Sequence, residues 1–569
     1  MWHNRTMPKI YAGLRFLSSE VRGLQAAVYI LAVCALLSSV LALVRDRLFA
    51  HVFGAGIELD LYNAAFRIPD LLFVTTAALV SAYVLMPELS RRDKQQSLDY
   101  IDTVVAGFSL LVIPVSAALA WFAPAILAVL FPEFARQGLL PTLVDLTRVM
   151  LLQPILFGFS NILASITQSE RRYALYAISP LLYNLGIIIG LLCFYPVFGL
   201  IGLAWGVVFG ACMHVGIQVP SILADGYFRR LPRIHDMRVL LATAATSVPR
   251  SLALTMSQVS YTGLVALAAG LVPGSIAIFA FAYNLQAVPL SIIGASYSVA
   301  AFPVLAKAAA SGKHAEFIDY IARAARHILF WSLPASALII VLRAYVVRVI
   351  LGSGAFDWAD TRLTAACFAI LSLSLVAQGL TLLIARGYYA TGRSFVPFTA
   401  AAATAAMTIG FAYTLILVLK DAHAMRIVED VTRAQGGAGG AVVALALAYA
   451  FASIIGTIGL ITHFSYTYGG FLHKVKDAIA QSSIAALAAG VSAYGALALT
   501  DMLSLSSISG TVFVRGFVGG VVGMAGAALA YALLRNREYS ETVSTIRAKI
   551  WRTPLPQAQT IVSAEDVAQ

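Results

Sequence analysis

Residues 26–44 read AAVYILAVCALLSSVLALV, and Arg45-Asp46-Arg47 follows at once. At about 1.5 Å of rise per residue, an uncharged run of this length spans roughly the 30 Å hydrocarbon core of a bilayer. The run is continuous and rich in Ala, Leu and Val, so it reads as a helix and not as the alternating strand of an outer-membrane barrel. No small-residue cleavage site follows it. The segment is therefore expected to be a retained membrane helix and not a signal peptide.

Similar runs recur along the chain, at about 60–88, 101–131, 142–168, 174–195, 198–223, 238–270, 274–306, 319–350, 361–384, 394–419, 441–466, 477–499 and 510–534. With the first run, the expectation is an all-α polytopic membrane protein of about 14 transmembrane helices. The composition agrees: 60% of the 569 residues are hydrophobic and 12% are charged, with a mean hydropathy of +0.84. That charged share is about half of what a soluble domain carries, which excludes a soluble enzyme, a disordered chain and a fibre. Cys34, Cys193, Cys212 and Cys367 lie apart in apolar stretches and suggest neither a disulfide framework nor a zinc site. No cofactor is expected.

The net charge of +12 points to membrane topology, with no nucleic-acid partner. Basic residues gather in alternate loops: Arg91, Arg92 and Lys94; Arg171 and Arg172; Arg229, Arg230, Arg233 and Arg238; Lys307 and Lys313; Arg386 and Arg393; Lys474 and Lys476. With those of the two ends, about 24 basic residues fall on one side against roughly 7 on the other, which puts both termini in the cytoplasm. An even number of crossings is required for that.

A weak repeat relates Tyr62-Asn63-Ala64-Ala65-Phe66-Arg67-Ile68-Pro69 in the second run to Ala282-Tyr283-Asn284-Leu285-Gln286-Ala287-Val288-Pro289 in the eighth, and Pro87 and Pro303 follow at similar distances. The six-span offset implies two pseudo-symmetric six-helix lobes of parallel topology, with a substrate site between them, as in transporters. The expected division is 1–25, a cytoplasmic segment; 26–223, an N-lobe; 238–466, a C-lobe; 477–534, two further helices; and 535–569, a cytoplasmic tail.

Polar groups inside the apolar runs are the candidate site, because ionisable groups at that depth face a cavity or a partner. Asp60, Asn63, Arg67 and Asp70 share one helical face of the second run, as either a cavity lining or a polar helix end with local pairs. Thr246, Arg250, Ser257 and Tyr261 share a face of the seventh. Arg250 lies about 18 Å in from Arg238, near the bilayer midplane, where it is either an anion ligand or half of a structural ion pair. Asn284, Gln286, Ser291 and Ser298 mark the eighth run, and Ser38, Ser39, Arg45 and Asp46 the first; helix packing and an interfacial charge cluster are the plainer readings of these. Pro69, Pro154, Pro249 and Pro289 are expected to bend their helices. Gly387–Ser394 is one residue from a P-loop pattern, but a membrane helix stands where the buried strand should be, so no ATP site is expected.

Val44–Gly56, with its Arg-Asp pair and Phe-Gly-Ala-Gly turn, then Asp60 and Ala65-Phe66-Arg67-Ile68-Pro69-Asp70-Leu71-Leu72, resembles the opening of the MurJ/MviN lipid II flippases of the MOP exporter superfamily. The likeness continues at Ser179-Pro180…Asn184, Ser257-Gln258, Pro303 and Ala385–Gly392, and covers about residues 30–535. It implies a bacterial cytoplasmic-membrane transporter, not an enzyme. Such a transporter would flip lipid-linked peptidoglycan precursor outward by alternating access, with the bilayer and lipid II as partners and wall-synthesis or division proteins as further candidates. The resemblance implies a cavity lined by spans 1, 2, 7 and 8. Arg45 would be an essential cavity arginine, Asp46 its acidic partner and Asp60 a gate residue, with Asp70 beside them. The Ala/Gly-rich faces around Ala485–Gly490 and Gly516–Gly526 are expected to leave room for an apolar groove at 477–534 that opens toward the cavity, and the resemblance supplies a polyprenyl lipid tail as its occupant. The sequence departs from the family where Ser39, Phe73-Val74 and Asn284 stand in place of basic residues; Arg250 and Arg67 offer compensating charge, with Ser257 and Gln286 as polar neighbours. Competing readings are a flippase for another polyprenyl-diphosphate glycan, a small-molecule antiporter of the MATE type and a non-transporting scaffold of wall synthesis.

Overall fold

The computed structural model describes residues 24–77, 80, 82–170, 172–228, 230–432, 439–502 and 511–551, and all regular structure among them is helical. Among the described residues, eleven helices are long and apolar enough to cross a membrane, or up to 12 if the bent pair Trp358–Leu373 and Leu375–Ala390 is one span. The two further runs expected from the sequence correspond to a 30-residue helix, α1 (Leu24–Phe53), and to a run broken into α2 (Ile57–Ala65), α3 (Arg67–Ala77) and α4 (Ala82–Ser90). The break between α2 and α3 at Phe66 precedes Pro69. In the related eighth run Pro289 lies just before a wide π turn, Ser291–Ala295. Proline removes an amide donor and crowds the preceding turn. Irregular backbone thus lies close to both prolines of the repeat, on the N-terminal side of Pro69 and on the C-terminal side of Pro289.

By internal contacts the chain divides into two compact units: residues 1–49 with 56–270, and residues 50–55 with 271–569. In the first unit follow α5 (Lys94–Leu130), α6 (Leu140–Met150), α7 (Leu152–Ser169), α8 (Tyr173–Ile189), α9 (Leu200–Gly216) and α10 (Met237–Ala268). Asp93 caps α5 by accepting the Gln96 amide at 2.8 Å. Helix α10 packs on α3, and α3 in turn on α7. Helices α8 and α9 meet backbone to backbone. Gly186-Ile-Ile-Ile-Gly190, at the end of α8 and the start of the π turn that continues it, faces Gly206-Val-Val-Phe-Gly210 on α9, and a Cβ at Gly186 or Gly190 would lie closer than 3.0 Å to the opposing glycine. This is the small-xxx-small device of membrane helices, where close approach replaces a hydrophobic driving force.

The second unit holds α11 (Ser275–Leu290), α12 (Ser296–Ala310), α13 (His314–Leu351), α14 (Trp358–Leu373), α15 (Leu375–Ala390), α16 (Phe395–Val418), α17 (Ala422–Thr432), α18 (Val443–Tyr468), α19 (Phe471–Met502), α20 (Thr511–Leu533) and α21 (Arg537–Trp551). Its core gathers Leu305, Phe317, Ile321, Ile328, Leu383, Tyr388 and Phe464. The Phe-Gly-Ala-Gly turn after α1 is built into this unit. Gly54 has φ of +59°, and a side chain there would meet the Ala355 carbonyl oxygen at 2.7 Å. The Ala55 amide donates to Asp360 Oδ2 at 3.2 Å. Only glycine fits that combination of left-handed backbone and close approach. Helices α19 and α20 pack on each other and on α13. The small faces expected to leave room there are filled: a Cβ on Gly523 would press on Leu338 and on the Ala489 carbonyl, and one on Gly526 on Ser492.

Candidate functional site

The Arg45 guanidinium makes three hydrogen bonds to two groups of the first unit, Asp46 and Asn184. Its Nε and Nη2 donate to Asp46 Oδ1 at 3.0 and 2.8 Å, and its Nη1 donates to Asn184 Oδ1 at 2.9 Å. Asn184 sits on α8, where its amide nitrogen donates to the Pro180 carbonyl at 3.1 Å and reaches Ser38 Oγ at 3.5 Å. Asp46 is 7% exposed, whereas the Arg45 side chain keeps 20% of its surface open. A nearly buried carboxylate therefore supports a cation that remains accessible. Ionised partners make the strong hydrogen bonds of such a cluster, and guanidinium offers a fork suited to phosphate as well as to carboxylate. Tyr62 stacks on Phe49 at 5.0 Å and meets Phe66 edge-on at 5.1 Å, which makes the surroundings apolar.

A second cluster joins α3 to α10. Arg67 is buried; its Nε donates to the Asn63 carbonyl at 3.0 Å and its Nη2 to Asp70 Oδ2 at 3.3 Å. The guanidinium lies over the Tyr261 ring, 4.6 Å from its centroid. Asp70 Oδ2 also accepts from Gln258 Nε2 at 3.5 Å, and the hydroxyls of Thr75 and Thr255 are 3.3 Å apart. The three contacts run in antiparallel register along the two helices. The sequence stripes through Arg67 and Asp70 and through Tyr261 are thus two sides of one seam.

Arg67→Ala should leave Asp70 short of its cation and Tyr261 without its cap. Removing one partner of a buried pair costs about 3–5 kcal/mol, and the cation–π contact contributes about 1 kcal/mol. The purified protein should unfold at a clearly lower temperature, and Arg67→Ala/Asp70→Ala should recover part of the loss. An unchanged midpoint for the single variant would show that Arg67 is free of this seam.

The other candidates are dispersed. Asp60 is buried in the first turn of α2, where the helix dipole favours a carboxylate. Ser39 spends its hydroxyl on the Ala35 carbonyl at 3.0 Å, and Ser257 is exposed on α10. The side chains of Thr246, Pro249 and Arg250 lie outside the described residues. In the second unit Asn284 is half-buried on α11, and Ser298 gives its hydroxyl to the Gly294 carbonyl at 2.6 Å. Gln286 is 1% exposed, with a buried amide nitrogen that has no hydrogen-bond partner among the described residues. Sequence reasoning did not find the Arg45–Asn184 bond, although it quoted both residues. Nor did it find the paired glycine motifs of α8 and α9, whose four-residue spacing was the available signal.

The sequence model of the family described as lipid II flippase MurJ matches residues 49–513. A probable lipid II flippase MurJ of Thermotoga maritima is 27% identical over 383 residues, covering 65% of this chain and 75% of the relative. One from Buchnera aphidicola is 26% identical over 375 residues, covering 64% and 73%. Among solved structures, a lipid II flippase MurJ in an inward closed conformation superposes with a TM-score of 0.68 at 22% identity, covering 89% of this chain and all of that one. The helical architecture is thus that of a polytopic transporter, and the chain belongs to the lipid II flippase MurJ family.

Proposed function

We propose that this protein moves lipid II from the cytoplasmic to the outer leaflet by alternating access of two six-helix lobes, 26–223 and 238–466. The observation that carries the reading is the Arg45–Asp46–Asn184 cluster, a guanidinium held by a buried carboxylate yet still partly open. The lipid's diphosphate bears more negative charge than the single Asp46 carboxylate and competes for the same donors. Arrival of the diphosphate frees Asp46 from Arg45. Departure to the outside restores the pair and resets the cycle. Arg250 adds a second cation, and Asn284, Gln286 and Ser257 add hydrogen bonds to the sugar or the phosphates. Asp60 and Asp70 act at the gate, with Arg67 fixing Asp70. A membrane potential that is negative inside favours outward movement of an anion by about 2.3 kcal/mol per charge per 100 mV.

Residues 477–534 carry the polyprenyl tail. The groove runs over the outward faces of α19 and α20, where Leu487, Val491, Tyr494 and Phe517 are exposed, because the inner small-residue faces are packed. Both termini are cytoplasmic in this reading. Single cysteines placed at Lys420 and at Arg393 should label from opposite sides of the membrane, with Lys420 outside; labelling of both from one side would overturn the topology.

The deciding experiment is complementation. A strain depleted of its own lipid II flippase should regain growth when it carries this chain, and vesicles containing it should move labelled lipid II across. Rescue without transport in vesicles would favour the wall-synthesis scaffold. Transport of a different polyprenyl-diphosphate glycan, with lipid II left behind, would change the substrate.

A further inference from the structure

We infer that the first unit carries a binding site for an anionic phospholipid, in a cleft closed by the loop that follows Ala224. This site is separate from the Arg45 cluster and does not depend on lipid II being the substrate. The cleft measures about 580 Å³ and is lined by Val105, Phe159, Leu163, Val215, Phe228 and Arg230, among others. Its size lies within the roughly 300–1,000 Å³ range of sites for lipophilic small molecules.

The loop is fastened at both ends. On one side Arg172 donates to Asp225 at 2.6 and 2.9 Å and to Ser221 at 2.5 Å, and Lys94 lies 4.5 Å from the centroid of the buried Tyr227 ring. On the other, the His235 amide donates to Thr103 Oγ1 at 3.1 Å. Between these anchors Phe228 adopts φ of 57°, a left-handed conformation unfavourable for a residue with a Cβ. The fixed loop keeps Phe228 on the cleft wall and leaves Leu231 84% exposed. Apart from Arg230, every lining residue is apolar.

Arg230 and Arg233 are both exposed and make no ion pair or hydrogen bond among the described residues. The unpaired Arg230 guanidinium on the wall of an apolar cleft, with Arg233 three residues on in the same loop between two membrane spans, matches the two halves of one molecule. An acyl chain fits the wall of Val105, Phe159, Leu163 and Val215, and a phosphate fits the cations. The charge selects an anionic headgroup over a zwitterionic one, and the apolar wall selects a lipid over free phosphate.

The test uses the full chain purified in detergent, with native mass spectrometry reading retained lipid. Phosphatidylglycerol and phosphatidylcholine of identical acyl chains are the probes, with inorganic phosphate as a third. Phosphatidylglycerol should be retained about fivefold or more over phosphatidylcholine, and phosphate should not bind. Arg230→Gln should erase the preference between the lipids. Val215→Trp, which fills the cleft, should lower retention of both. Leu231→Asp, at a lining position that is 84% exposed, puts a carboxylate beside the cleft and should do the same. Equal retention of the two lipids by the wild type would overturn the site. So would unchanged phosphatidylglycerol binding by Arg230→Gln, or by Leu231→Asp. Lipid II transport is read separately, so its failure would leave this result standing.

Discussion

Arg45→Ala should abolish lipid II movement in vesicles while the protein still inserts. The arginine is the shared donor to two competing anions, Asp46 inside the protein and the diphosphate on the substrate, and its removal takes away both states of the exchange. Losing one partner of such a pair costs about 3–5 kcal/mol, because the other charge stays buried. Here the stranded groups are the Asp46 carboxylate, 7% exposed, and the Asn184 oxygen that accepted from Arg45 at 2.9 Å. Some loss of stability is therefore expected alongside the loss of transport, and two companions separate them. Arg45→Lys keeps the charge but cannot donate from Nε and Nη2 together, as Arg45 does to Asp46 Oδ1; it should fold normally and transport slowly. Asp46→Asn keeps the cation and weakens its internal competitor, so substrate should bind more tightly and leave more slowly. Full transport by Arg45→Ala in a vesicle assay would remove the cluster from the mechanism.

Much of this architecture is legible in the chain. The apolar runs mark the spans because lipid leaves backbone polar groups no partner but their own helix, so length and hydropathy alone carry the signal. The Arg45–Asp46 pair is equally local, since the two residues are neighbours. The Asn184 contact is not: 139 residues separate it from Arg45, and nothing in either run of sequence specifies which helix comes alongside. The seam of Arg67 with Tyr261 and of Asp70 with Gln258 is intermediate. Each helix shows a polar stripe at helical spacing, which tells that a face is polar and not what it faces. Helix α10 heads the second half by repeat, yet its contacts with α3 place it in the first unit. Kinship by sequence and grouping by contact measure different things, because a repeat records ancestry and a contact records packing. The α2–α3 break was signalled by Pro69, but proline alone does not decide between a bend and a full interruption. The glycines of α19 and α20 show a similar ambiguity. Small residues permit either an open groove or close approach, and here they are used for approach.

The pairing of α8 with α9 gives the largest expected effect on folding. Gly206→Leu should nearly eliminate folded protein from the membrane fraction, and Gly190→Ala should lower its unfolding temperature. The atoms opposite these glycines are backbone: a Cβ on Gly190 would press on the Gly206 Cα, one on Gly186 on the Gly210 Cα, and one on Gly202 on the Phe194 carbonyl at 2.5 Å. A side chain in the way can turn to another rotamer, whereas a helix backbone can only move as a body. Overpacking a core that can relax costs about 1–3 kcal/mol, and several rigid contacts in register should exceed that for a leucine. The displacement would also reach the candidate site. Asn184, which orients Arg45, precedes Gly186 by two residues on α8, and the π turn Gly190–Phe194 continues the same segment. A variant mild enough to fold, such as Gly190→Ala, should therefore also transport more slowly than its stability alone explains. Gly216→Leu is the control, because that glycine also lies on α9 but a Cβ there would have no neighbour within 4 Å. If Gly206→Leu and Gly216→Leu gave equal yields of folded protein, close approach of the two helices would not be what holds this part of the unit together.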